Sequence, residues 1–506
     1  MSRIARSTLL VAIFFGLEKI LGFLRQIFIA RQFGLSTELD AFNAANNVPD
    51  LLFALISGGA LAMALIPVLS EYLEQKGKTL AWDLFSRIAN LIFLGTASLS
   101  IIIALLAPHI VGWKLGVAPG FNAQQQILVI NLMRLNLIAT LLFSMGGLVV
   151  AALQANQHFL LPALAPSMYD LGNFFGILIL APTTPYRFGF ITLPAFGMGI
   201  YGLVYGVILG AFLFLAIQLP GLLRFKFRWT PAINLRHPGV QQVLHLMAPR
   251  ILTVFFIQTV FLAQDNIASR LVAGSVTALV YGWLFMQVPE TLIGTAIGTV
   301  LLPTLSEHIV RQDGAAFRRT YNHAMQIILS FSIPLAILLA ITIRPVISIL
   351  GFDEGGTNLV LWTVRGYLAG LVGHSLLEVA ARGFYAHQDA RTPLLASGLA
   401  TLAFILMAIL FASLFGAPGI GLANSLAYSG EALLLWWLLN RQYRGLFQIG
   451  KTLLRVIPVT LFSAAATLGV LRLEFAPLPL SIAALSLGSL LVLPFIWPEI
   501  KLLIKL

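Results

Sequence analysis

The chain has 506 residues, of which 59% are hydrophobic and only 10% charged, and its formal charge is +12. A soluble chain would carry about a quarter charged residues, so a mean hydropathy of +0.92 excludes an ordinary soluble domain. It points instead to an all-α polytopic membrane protein. With no cysteine at all, disulfide frameworks and thiolate metal sites are excluded.

A membrane-spanning helix needs about 20 largely apolar residues. On that basis the chain divides into fourteen candidate spans, near 7–33, 41–72, 86–112, 126–154, 158–181, 195–220 and 240–270, then 276–305, 320–350, 358–386, 392–415, 418–440, 450–472 and 478–500. The first lacks a small-residue cleavage site and is expected to stay as a span rather than be removed as a signal peptide. Basic residues cluster in alternate loops. Lys76, Lys78, Arg224, Lys226, Arg228, Arg318, Arg319, Arg444 and Lys505 fall on one side, against Lys114, Arg187, Arg270 and Arg472 on the other. The positive-inside rule then places both termini in the cytoplasm.

The sequence also resembles itself. LIPVLSEYLEQ at 65–75 matches LLPTLSEHIVRQ at 301–312, and ALQANQHFLLPAL at 152–164 matches GFYAHQDARTPLL at 383–395. Gly202-Leu203 pairs in the same order with Gly421-Leu422. The expected architecture is two parallel-repeat six-helix lobes, 1–228 and 229–445, followed by two additional transmembrane helices in 446–506. Parallel repeats of this kind are a transporter plan, with substrate bound between lobes that rock.

Several spans keep polar residues, and lipid would penalise each charged one by about 2.5–3.5 kcal/mol even on the lenient insertion scale. In the first, LEKILGFLRQIFIARQFG, Glu18, Gly22 and Arg25 share a helix face, with Lys19 about 100° around. The second has Asp40 at its outer end, then Asn43, Asn46, Asn47 and Asp50. Further inward candidates are Arg134, Asp170, Arg250, Gln258, Gln264, Asp265, Gln287, Glu290, Arg365, Glu378 and Arg382. Lys19, Arg25 and Arg134, the deepest cations, are expected to line a wet cavity suited to an anion, since arginine offers phosphate a planar fork of donors. For Asp40, Arg31, Arg344 and Arg382, internal ion pairing or snorkelling near span ends is an equally good reading.

No enzyme constellation is present in the sequence. It has no GxxxxGK[ST] phosphate loop, and its eight histidines show no paired metal spacing. His374, mid-span, reads as a helix-to-helix hydrogen bond. ISGGALAMA at 56–64 reads as close helix packing or a broken helix.

At this point the residues resemble a known family. ILGFLRQIFIARQFG, ELDAFNAANNVPDLL, ALIPVLSEY, GSVTALVYGW, AIGTVLLPTLSEH and GFYAHQDARTP are similar to the signatures of the MurJ (MviN) lipid II flippases. These belong to the multidrug/oligosaccharidyl-lipid/polysaccharide exporter superfamily. The resemblance implies export of the undecaprenyl-pyrophosphate-linked peptidoglycan precursor across the bacterial cytoplasmic membrane, with the two extra helices helping to hold the lipid tail. It also implies substrate-binding roles for Lys19, Arg25 and Asp40. The family's arginine after the P-[ND]-LL motif falls here at Phe53, its eighth-span arginine at Leu284, and the acid that follows at Gln287. Asn47, Asp50, Arg134 and Gln287 complete the expected substrate-binding set.

The expectation is therefore a lipid II flippase that is not an enzyme, needs no metal or other cofactor, and acts as a monomer on a lipid-linked glycan among membrane lipids, without nucleic acid. Membrane potential or a sodium or proton gradient would drive it, with Asp265, Asp170 or Glu290 as ion-coupling candidates. The alternatives are a paralogue moving another polyprenyl-linked glycan, a cation-coupled drug antiporter, and a non-transporting scaffold.

Overall fold

The computed structural model describes residues 3–56, 59–443, 446, 449–473 and 475–503. The helices in chain order are α1 Arg3–Phe33, α2 Thr37–Ile56, α3 Gly59–Glu71, α4 Lys78–Gly112, α5 Ala123–Ala155, α6 Leu160–Phe175, α7 Ile200–Ala216, α8 Leu219–Arg224 and α9 Pro238–Ala268. They continue with α10 Ser275–Glu290, α11 Ala296–Val310, α12 Gly314–Thr342, α13 Arg344–Ser348, α14 Glu354–Leu368 and α15 Leu371–Ala386. Last come α16 Arg391–Phe415, α17 Ala417–Gln442, α18 Gly450–Val470 and α19 Pro477–Leu503. A two-residue antiparallel pair, Arg187–Phe188 with Ile191–Thr192, is the sheet among the described residues.

Each of the fourteen predicted segments is helical among the described residues, and ten stretches of those described residues are long and apolar enough to cross a membrane. The side chains of residues 3–13 and 15 in α1 lie outside the described residues, as does the junction of α2 with α3; the α14–α15 segment turns at Ala369-Gly370, and α17 carries Asn424 and Glu431. Ser57 and Gly58 of the ISGGALAMA stretch lie outside the described residues, as do Arg444 and Lys505 of the basic loops.

Local chemistry sets the helix ends. Gly34, at φ +61°, ends α1, and Ser36 Oγ accepts from the Leu39 N–H at 3.1 Å to cap α2. Asn122 and Gln125 form a capping box at the start of α5. Gln157 closes α5 in the left-handed region, with the His158 N–H on the Leu153 carbonyl at 2.8 Å. Gln388 closes α15 in the same way, with Asp389 on Phe384 at 3.0 Å. The internal match thus extends to a shared helix-ending motif without glycine.

The chain divides into two compact units, Met1–Arg270 and Leu271–Leu506. In the first, one core joins α3, α4, α5, α8 and α9 around Trp82, Phe85 and Phe227, whose rings meet edge to face. A second core joins α1, α2, α4, α5 and α7. α9 is tied into this unit by Asn266, which donates to the Gly116 carbonyl at 2.6 Å, and by Arg270 on Lys114. In the second unit, one core gathers α11, α12, α15 and α17, and a smaller one joins α18 to α19.

Small residues bring helices into backbone contact. Across α6 and α7, a Cβ on Gly172 would sit 2.2 Å from the Gly210 nitrogen, and one on Gly176 would sit 2.6 Å from the Gly202 oxygen. In the second unit a Cβ on Gly370 would meet Ser425 Oγ at 2.5 Å. In membranes this close approach replaces the hydrophobic drive as the source of helix association. Gly172→Ala is therefore expected to lower stability by about 1–3 kcal/mol through overpacking. Gly95→Ala, whose Cβ meets nothing within 4 Å, is expected to leave it unchanged or slightly raised. Thermal unfolding of both variants in detergent checks the contrast.

Candidate functional site

The first unit carries the densest set of polar side chains within its spans. On α1, Lys19 Nζ lies 3.3 Å from Glu18 Oε2, with side-chain exposures of 76% and 25%. Two turns further, Arg25 Nη1 donates to Asp170 Oδ1 of α6 at 2.8 Å, with exposures of 19% and 3%. The Arg25 guanidinium also lies over the Tyr169 ring, 5.2 Å from its centroid. The two pairs differ in kind. The exposed Lys19 pair is worth little, whereas removing one partner of a buried pair costs about 3–5 kcal/mol because a bare charge is left behind.

An aromatic row continues from Tyr169. Phe143 of α5 meets Tyr169 at 5.1 Å, and Phe53 of α2 meets Phe143 at 5.9 Å. Phe53, where the resemblance leads one to expect an arginine, thus extends the wall on which Arg25 rests. Nothing in the spacing singles out Tyr169 or Phe143; their role emerges only from the packing of α1, α5 and α6.

The polar stripe of α2 mostly turns toward neighbouring helices. Asn136 of α5 donates to Asn46 at 2.5 Å, and Asn47 donates to Asp265 of α9. Asp265 and Asp40 are both buried, at 3% and 2% exposure, and lie close enough to interact electrostatically. Asp50 is surface-accessible. Asn47 and Asp265, predicted separately as substrate-binding and ion-coupling, are therefore one linked pair.

Arg134 sits apart from Arg25. It lies on an exposed face of α5 with Ile127 and Ile138, and its Nε donates to the Ala104 carbonyl of α4 at 2.9 Å. Ala104 is four residues before Pro108, which has no N–H to offer it. The arginine takes the place of the missing donor, as hydrocarbon demands. Arg365, at the matched place in the repeat, does the same for Ala340 in the last turn of α12, also at 2.9 Å.

In the second unit Gln287 is exposed on α10 and Leu284 is half-buried. Glu290 accepts from Thr295 at 3.3 Å within the π-helical turn Thr291–Thr295, near the Glu378–Arg382 pair of α15. His374 bonds Asn424 at 3.0 Å and stacks on Tyr428, the helix-to-helix bond its position suggests. The Arg250 side chain lies outside the described residues. Among the described residues, no three His, Asp or Glu side chains converge as metal ligands.

A family model described as lipid II flippase MurJ matches residues 29–483. The chain belongs to this family. Among its relatives, the lipid II flippase MurJ of Burkholderia cenocepacia is 30% identical over 473 residues, spanning 92% of this chain and 88% of the relative. The probable lipid II flippase MurJ of Rhizobium meliloti is 28% identical, spanning 92% and 86%. A solved MurJ structure in an inward closed conformation superposes with TM-score 0.80 at 22% identity, over 98% of this chain and all of the other. An inward-facing multidrug MATE transporter gives 0.68 at 13%, covering 86% of this chain and 96% of its own. The chain thus shares the MurJ fold over 98% of its length.

The Arg134 geometry yields a direct test. In the natural sequence Arg134→Ala should cost about 1–3 kcal/mol, the penalty for a carbonyl left without a donor in hydrocarbon, where no water can replace it. In a Pro108→Ala background, where residue 108 can serve the Ala104 carbonyl, the cost should shrink toward zero. A double-mutant cycle in thermal stability reads the coupling.

Proposed function

We propose that this MurJ-family protein moves a polyprenyl-diphosphate-linked glycan, with lipid II as the cargo, from the inner to the outer leaflet of the bacterial cytoplasmic membrane. Both termini lie in the cytoplasm, and transport proceeds by alternating access of two six-helix lobes, 1–228 and 229–445, with 446–506 serving the lipid tail. The work is binding and conformational exchange rather than bond chemistry. Its energy comes from the membrane potential or an ion gradient, a charge moved across 100 mV being worth about 2.3 kcal/mol. The protein acts as a monomer among membrane lipids.

The observation that carries this reading is Arg25. It is a guanidinium kept within an apolar helix, backed by a buried carboxylate and an aromatic face, at the position where the family's signature keeps a cation. Guanidinium is the side chain suited to a diphosphate, because its donors match two oxygens at once. Lys19, on the exposed part of the same helix, adds a second cation, paired with Glu18.

A second reading is a paralogue carrying another polyprenyl-linked glycan. Phe53 and Leu284 favour it, since two expected cations are replaced by apolar side chains and the diphosphate loses their compensation.

Depletion of a host's own lipid II flippase tests both. The wild-type chain should restore growth, Arg25→Ala should reduce rescue at least tenfold in plating efficiency, and Arg25→Lys should fall between. Good membrane expression without rescue by the wild type would select the paralogue.

A further inference from the structure

We infer that Asp170 is an exchangeable counter-ion, so that an anionic headgroup and Asp170 compete for Arg25 and headgroup binding is coupled to uptake of one proton at the Asp170 carboxyl. This rests on the reading of Arg25 as a headgroup ligand and adds to it a second residue and a coupled proton.

The geometry sets the problem. Asp170 sits on α6, and Gly172 of α6 with Gly176 of the turn that follows hold that segment against α7 at backbone distance, so the backbone carrying the carboxylate stays in place when its partner leaves. Its side chain is 3% exposed, too little for water to replace a guanidinium. The charged groups that face it are few. From α1 come Arg25, Glu18 and Lys19, and Glu18 only adds negative charge. α7 carries no charged residue, and its titratable groups are Tyr201 and Tyr205. On α5 the one charged residue is Arg134, committed to Ala104, and that helix presents Phe143 to Tyr169 on α6 itself.

When a diphosphate oxygen takes the Arg25 donors, Asp170 is left as a buried anion with Lys19 as its remaining cationic neighbour. Lys19 is itself largely exposed and paired with Glu18. A carboxylate in that position neutralises by binding a proton, the ordinary response of a desolvated charge that has lost its partner. The balance is simple. The Arg25–Asp170 pair and one proton from water become an Arg25–diphosphate pair and a neutral Asp170 carboxylic acid. Release of the headgroup reverses each step. By linkage, a proton at Asp170 favours the headgroup to the same degree that the headgroup favours the proton.

The test uses the full chain in lipid nanodiscs, titrated with lipid II between about pH 6 and about pH 8.5. Wild-type affinity should weaken as pH rises, by up to about tenfold per unit where a whole proton is taken up. Asp170→Asn, which cannot ionise, should bind with no such slope and at least as tightly as the wild type at the acid end. A slope preserved in Asp170→Asn, or a flat wild-type profile, overturns the proposal. If Asp170→Asn does not fold, calorimetry of the wild type in two buffers of different ionisation enthalpy counts the protons directly. About one per lipid supports the exchange, and none overturns it. If lipid II does not bind, the lipid II reading fails, and the same titration with undecaprenyl pyrophosphate still decides the exchange. A pH-dependent affinity lost in Asp170→Asn supports it, and no binding or no slope overturns it.

Discussion

Arg25 can remain inside an apolar helix because Asp170 meets it at 2.8 Å from a neighbouring helix and Tyr169 covers its face. A lone guanidinium in hydrocarbon would be expelled or would drag water in. The ion pair makes the charge tolerable while leaving it available, since an anion can replace one carboxylate with another set of oxygens. The rest of the first unit serves that contact. The α6–α7 glycine contacts fix where α6 lies, and Phe143 and Phe53 complete the wall behind Tyr169.

The same solvent sorts the arginines into two kinds. Arg134 and Arg365 answer backbone carbonyls, at equal distances and at matched places in the two halves. They repair helices that proline or a helix end has left incomplete, and their charge is secondary to their N–H donors. Arg25 answers a side chain instead. A cation spent on the backbone holds the scaffold, whereas one spent on a carboxylate keeps the chemistry to meet another anion, as proposed for Arg25.

Much of this was legible in the sequence. Apolar length and basic loops marked the helical segments, and LIPVLSEY against LLPTLSEH announced the duplication that the Gln157 and Gln388 helix ends repeat in three dimensions. Arg25 stood out as a charge where none is cheap. Its partner did not, because the face α6 offers to α1 depends on how closely Gly172 and Gly210 let α6 and α7 approach. Arg134 was grouped with the anion ligands on depth alone. The clue to its bond with Ala104 lay thirty residues away, in the missing N–H of Pro108. The asparagines of α2 stood out as polar residues kept in a span, and Asn46 and Asn47 form hydrogen bonds with α5 and α9. A period of four and three identifies a face but does not say what lies opposite it.

The central claim is that Arg25 holds the diphosphate of a polyprenyl-linked glycan. Native mass spectrometry of the purified wild type and Arg25→Ala, each released gently from membranes of cells making peptidoglycan, tests it most directly. The account predicts a bound polyprenyl-diphosphate glycan on the wild type and its loss from the variant, with ordinary phospholipid retained on both. The same glycan at equal occupancy on both proteins, or phospholipid alone on the wild type, would contradict it.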